Sequence, residues 1–103
     1  MNIIFFGSPQ YSCKVLNTLK SHEHKLSAVV TQNFKKSRNK KEKDTPVGQF
    51  ASSNNIEVLR PINLSEKDFL QKIKSLKADL YIIYSYGKIL PKELISFPRY
   101  GVI

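Results

Sequence analysis

The chain has 103 residues, a hydrophobic fraction of 41% and a formal net charge of +9. That length allows one domain at most, and the apolar content, with five Tyr and six Phe, excludes wholesale disorder. A single cysteine, Cys13, forms no internal disulfide and cannot alone hold zinc, no apolar run approaches the roughly 20 residues of a bilayer span, and Met1-Asn2 enters an apolar segment with no basic leader; together these point to a reducing cytoplasm.

In chain order, the apolar run 2–6 predicts a first strand. Gly7-Ser8-Pro9 turns the chain, with Ser8 as a helix cap and Pro9 at the first helical position, where no N–H is needed. Tyr11, Val15 and Leu19, with Leu16 beside them, give one apolar helical face to about residue 21. His22 and His24 read as a solvated turn, and 25–31 as a second strand. No periodicity survives between 32 and 44, which reads as a loop. Thr45-Pro46 restarts a helix, with Val47, Phe50 and Ala51 inward. Residues 56–59 form a short third strand stopped by Pro61. Ser65 to Asp68 is a variant capping box heading a helix striped by Phe69, Leu70, Ile73 and Leu76. Leu80-Tyr81-Ile82-Ile83-Tyr84 is the unbroken apolar pattern of a strand buried on both faces of a parallel sheet. A turn and short helix follow, and Tyr100-Gly101-Val102-Ile103 begins a fifth strand.

This repetition predicts an α/β, doubly wound, mainly parallel sheet of Rossmann-like form, cut after the start of the fifth strand. With strand one central, the turn at Gly7, Ser8 and Pro9 meets the turn at 85–87 at the carboxyl edge, in the crevice where open α/β sheets take their ligands. A dinucleotide fits poorly there. Its fingerprint needs three glycines after strand one and an acidic residue ending strand two. Here Gly7 stands alone, Pro9 removes a backbone N–H, and strand two ends in Thr31-Gln32-Asn33. A Walker-type phosphate loop is absent from the sequence.

Several blocks in order across the chain carry a resemblance. These are Ile3-Ile4-Phe5-Phe6-Gly7-Ser8-Pro9, Val29-Val30-Thr31-Gln32, Thr45-Pro46-Val47, Tyr86-Gly87-Lys88-Ile89-Leu90-Pro91 and Pro98-Arg99-Tyr100-Gly101-Val102-Ile103. Together they resemble the methionyl-tRNA formyltransferases, with residues 1–103 matching the amino-terminal portion of the catalytic domain. The resemblance implies transfer of a formyl group from 10-formyltetrahydrofolate to the amino group of initiator methionyl-tRNA, with no metal. It implies that Tyr86, Gly87, Lys88, Ile89 and Leu90 line the folate-ring pocket through main-chain polar groups and the apolar faces of Ile89 and Leu90. Gly7, Ser8 and Pro9 would form the substrate-side loop. It also implies that the reactive Asn-x-His-x-Ser-Leu-Leu-Pro motif would start after Ile103, so that no catalytic residue is expected within the chain and the fragment alone is expected to be inactive.

The loop 33–44 holds Lys35, Lys36, Arg38, Lys40, Lys41 and Lys43 against Glu42 and Asp44, a net +4 of the chain's +9. Packed cations repel one another, and phosphates relieve that repulsion with release of counterions. By itself such a run is also an ordinary solvated loop, and an AT-rich genome also inflates Lys. The resemblance implies that it contacts the tRNA acceptor arm. Two alternatives stand beside this reading: a glycinamide ribonucleotide formyltransferase-like enzyme, and a non-catalytic nucleic-acid-binding domain on a Rossmann-like sheet. A fifth strand barely begun would leave strand four with an uncovered edge, from which self-association or a low unfolding temperature is expected.

Overall fold

The structure, a computed structural model, describes residues 1–21, 24–33, 35–36 and 42–103, with the backbone alone at 35–36 and 42–43. Among the described residues the elements are β1 (Asn2–Gly7), α1 (Ser12–Lys20), β2 (Lys25–Val30), β3 (Lys35–Lys36), β4 (Glu42–Lys43), α2 (Pro46–Ser53), β5 (Val58–Leu59), α3 (Lys67–Ser75), β6 (Leu80–Tyr84) and α4 (Lys92–Ile95). The main sheet has the order β5-β2-β1-β6, and every pairing in it is parallel.

β1 is central, and its side chains alternate between two buried layers as a strand's period of two requires. Phe5 joins Leu16, Val29, Val47 and Ala51 under α1 and α2. Ile4 and Phe6 face the other way, into Val30, Leu64, Phe69, Ile73, Tyr81 and Leu94 under α3 and α4. An apolar run with no polar alternation is therefore what a strand covered on both faces needs. β6 is less buried than its sequence suggests: Tyr81 is fully covered, whereas Ile82 and Ile83 are half-buried and Tyr84 is exposed. Its outer side is nevertheless paired. Tyr81 N–H donates to Gly101 O at 3.1 Å, and the N–H groups of Ile103 and Ile83 donate to Tyr81 O and Ile103 O at 3.0 and 2.9 Å. The free edge expected at the fourth strand of the main sheet thus moves outward to residues 101–103.

Four sequence expectations need correction. Ser8 caps no helix: α1 starts at Ser12, after Tyr11 at a cap position without a side-chain bond. Tyr11 is 56% exposed and leaves the inner face to Ser12, which is fully buried. The supposed capping box at 65–68 is displaced, because α3 begins at Lys67 and its cap is Glu66. There the Glu66 carboxylate accepts from Asn63 N–H and Asn63 Oδ1 accepts from Ser65 N–H, both at 2.8 Å. The stretch 32–44 is not wholly irregular, since β3 and β4 pair antiparallel and set Lys35 against Lys43 and Lys36 against Glu42.

Thr45-Pro46 behaves as its sequence dictates. Thr45 is extended, Pro46 opens α2, and the Thr45 hydroxyl accepts from Gly48 N–H at 3.1 Å. The same hydroxyl lies 2.6 Å from Thr31 Oγ1 in a buried pair. Thr45→Ala removes both bonds and leaves Gly48 N–H and Thr31 short of a partner, for an expected loss of about 2 kcal/mol of stability. Urea denaturation checks this: Thr45→Ser should keep most of that stability, and an unchanged midpoint for the alanine variant would show that the cap is idle.

Candidate functional site

The strand order reverses between β1 and β6, which puts a crevice at their carboxyl ends. Four polar contacts close its floor. Ser12 Oγ donates to Tyr84 O at 2.8 Å, Tyr11 Oη to Ser85 Oγ at 3.0 Å, Ser8 Oγ to Tyr86 O at 3.4 Å and Gln32 Nε2 to Tyr86 O at 2.8 Å. The two glycine-bearing turns therefore converge as the sequence predicts. Gly7 is required by close approach, because a Cβ there would stand 2.9 Å from Tyr84 O and 2.7 Å from the Phe5 ring.

The hydroxyls form a chain with one consistent direction. Gly48 N–H donates to Thr45 Oγ1, which leaves the Thr45 proton for Thr31 Oγ1. Thr31 then donates to Ser8 Oγ at 3.3 Å, and Ser8 to Tyr86 O. Each hydroxyl donates once and accepts at least once, so each is satisfied where water is scarce. Tyr86 O, with two lone pairs, is filled by Ser8 and Gln32. Neither Thr31 nor Gln32 stands out as functional in the sequence. The signal present is an abrupt change from the buried Val29 and Val30 to polar residues at a strand's carboxyl end.

The residues expected to meet a ring ligand divide into two groups. Tyr86 belongs to the core: its ring is 1% exposed and edge-on to Phe6 at 5.6 Å. Burial pushes its phenol up to about 12, and its hydroxyl finds no hydrogen-bond partner among the described residues. Burial likewise raises Tyr81, whose hydroxyl is similarly unpartnered. Neither phenol is ionised near neutral pH.

Gly87, Lys88, Ile89 and Leu90 form the open part. Gly87 has φ +94°, which favours glycine, and it follows Ser85 at φ +57° and Tyr86. Among the described residues, nothing accepts a hydrogen bond from the main-chain N–H groups of residues 87–90. Ile89 is 95% exposed, so it does not plug the core. With Leu90, Lys88, Ile62 and Leu64 it borders a groove of about 460 Å³, across which Lys88 Nζ donates to Ile62 O at 3.1 Å. A segment with free N–H groups beside a protruding aliphatic side chain suits a flat heterocycle with a polar edge.

The basic segment springs from the same edge. Lys35, Lys36 and Lys43 sit on β3 and β4, whereas Arg38, Lys40 and Lys41 lie outside the described residues. At its base Asp44 pairs with Arg60 and accepts from Thr45 N–H at 2.8 Å, while Val47 N–H donates to Ser8 O at 3.2 Å. His24 is exposed just before β2, at the opposite edge, and His22 lies outside the described residues. Burial raises the Cys13 thiol, which disfavours its thiolate. No cluster of three or more His, Cys, Asp or Glu capable of holding a metal occurs among the described residues, and no helix there is long and apolar enough to cross a membrane.

Comparison with known proteins fits this geometry. The methionyl-tRNA formyltransferase of Acetivibrio thermocellus is 41% identical over 104 residues, covering 100% of this chain and 33% of that protein. The protein of the same name from Prochlorococcus marinus strain MIT 9515 is 42% identical over 102 residues, covering 97% of the chain and 31% of its own length. The chain thus spans about a third of these relatives. Among solved structures, a phosphoribosylglycinamide formyltransferase from Bacillus halodurans superposes with a TM-score of 0.70 at 10% identity, over 99% of this chain and 54% of that one, which shows a shared fold. With the Formyl transferase family matching residues 1–103 from end to end, the chain belongs to that family.

Proposed function

We propose that this chain is the donor-binding and RNA-facing part of a methionyl-tRNA formyltransferase, which moves a formyl group from 10-formyltetrahydrofolate to the amino group of initiator methionyl-tRNA in the cytoplasm. The observation that carries the reading is the segment 87–90, with free main-chain N–H groups and Ile89 95% exposed beside the groove it shares with Ile62 and Leu64. The relatives of similar sequence bear that activity in their names.

Each part of the chain has a definable task. The N–H groups of residues 87–90 bond acceptor atoms on the edge of the folate ring, and the aliphatic faces of Ile89 and Leu90 cover its plane. Lys35, Lys36, Lys40, Lys41 and Lys43 would meet the acceptor arm's phosphates as point charges without fixed geometry, and Arg38 could hold one with its planar fork. Attack by the amine on the formyl carbon needs a donor for the developing oxyanion and a base for the ammonium proton. On this reading the chain binds the donor and the RNA, and those two roles fall to residues outside it.

The glycinamide ribonucleotide reading is weaker here. Pro9 withholds a backbone N–H from the loop after β1, where a substrate phosphate would be held, and that reading gives six clustered cations no task. The test is turnover by the protein that carries this chain, with 10-formyltetrahydrofolate and either acceptor. Formylation of methionyl-tRNA and none of glycinamide ribonucleotide is expected. The reverse outcome replaces the assignment with the purine enzyme, and RNA binding without turnover of either replaces it with a non-catalytic module.

A further inference from the structure

We infer that Gln32 is a positioning residue, whose side-chain amide sets the main chain of residues 86–88 so that the N–H groups beyond it face the ligand. Its functional half rests on the donor-binding reading of the segment 87–90; its structural half stands on geometry alone.

The turn needs a clamp. Tyr86 lies between Ser85 and Gly87, both left-handed at φ +57° and +94°, and regular pairing of β6 has ended at Tyr84. Among the described residues, the main-chain atoms of 86–90 take two hydrogen bonds, both at Tyr86 O. The bond from Ser8 Oγ is 3.4 Å, at the limit of useful length, while that from Gln32 Nε2 is 2.8 Å. Gln32 is itself held, because its own N–H donates to Ser8 Oγ at 3.3 Å. The amide also occupies the space a side chain at position 87 would need: a Cβ on Gly87 would collide with Gln32 Nε2. Glutamine at 32 and glycine at 87 therefore fit as a pair. The bond has one chemical sense, since a carbonyl oxygen can only accept, so the group facing Tyr86 O must be a donor.

That sense makes the inference testable by an isosteric change. Gln32→Glu keeps the shape but points a carboxylate at a carbonyl oxygen, and only the protonated acid can restore the bond. Facing an acceptor raises a carboxyl pKa, because the neutral form is the one that is bonded. The probe is 5-formyltetrahydrofolate, titrated calorimetrically, together with amide resonances of Gly87 and Lys88 followed by NMR, with β1 resonances as the fold control. For Gln32→Glu, affinity should fall roughly tenfold near pH 8 and recover as pH drops toward about 5.5, the Gly87 and Lys88 resonances moving with the same midpoint. Gln32→Met, which fills space without donating, should lose affinity at every pH, and the unaltered protein should show neither midpoint. Unchanged affinity and resonances in both variants would overturn the inference, and so would an equal, pH-independent loss in both. If the unaltered protein binds no folate yet the Glu variant's Gly87 and Lys88 resonances titrate, the clamp stands and the donor-binding reading fails.

Discussion

Replacing Lys35, Lys36, Arg38, Lys40, Lys41 and Lys43 together with neutral residues is expected to flatten the salt dependence of tRNA binding and weaken it most at low salt. Each phosphate neutralised contributes about 0.7–0.9 to the slope of log K against log salt, so loss of even four contacts should reduce the slope by roughly 3. The backbone register sets position 35 opposite position 43, so two of the six cations come from paired strands of one segment. Filter binding or fluorescence titration across a salt series measures the effect. A variant that keeps the original slope would reduce the segment to solvated surface and leave the RNA-facing half of the proposed function without support.

Gly87→Ala is expected to cost the donor site more than any other single methyl group. The backbone at φ +94° suits glycine, and forcing a side chain into such a region costs about 1–3 kcal/mol. The new Cβ also displaces Gln32 from Tyr86 O. Relief comes from moving residues 86–88, which disperses the N–H groups, so the affinity for 5-formyltetrahydrofolate should fall by about a hundredfold while the melting temperature drops by only a few degrees. Retained affinity would show that the ligand reads something other than this main chain.

What the sequence made legible was local. The continuous apolar runs of β1 and β6, the Thr45-Pro46 start of α2 and the position of the crevice all follow from patterns within a few residues. The failures came where distant residues compete for a group that looks local. Ser8 has the signature of a cap, but its hydroxyl serves Tyr86 O, 78 residues away, and α1 is left to start at Ser12. Tyr11 sits at an inward spacing, yet it turns outward to Ser85 because Ser12 takes the buried place and bonds Tyr84 O, 72 residues off. Gln32 belongs to the Val29-Val30-Thr31-Gln32 block, but nothing in that block shows its side-chain contact across 54 residues. In the candidate site, the left-handed backbone at Gly87 fits its residue type, while the ligand-facing role of residues 87–90 came from the resemblance alone. The burial of Tyr86 was not legible, because nothing nearby in sequence says that Phe6 receives its ring.

The basic arm departs from the sheet at Gln32 and returns at Thr45, and these two anchors meet through Ser8 and Thr31 within one small knot of oxygens. Arm and 85–90 turn are thereby surveyed from a common datum. Under the proposed function, an RNA held by the arm would arrive at an offset from the donor that the knot prescribes. Length or charge can be added between the anchors to alter reach and grip, while the pocket keeps its shape.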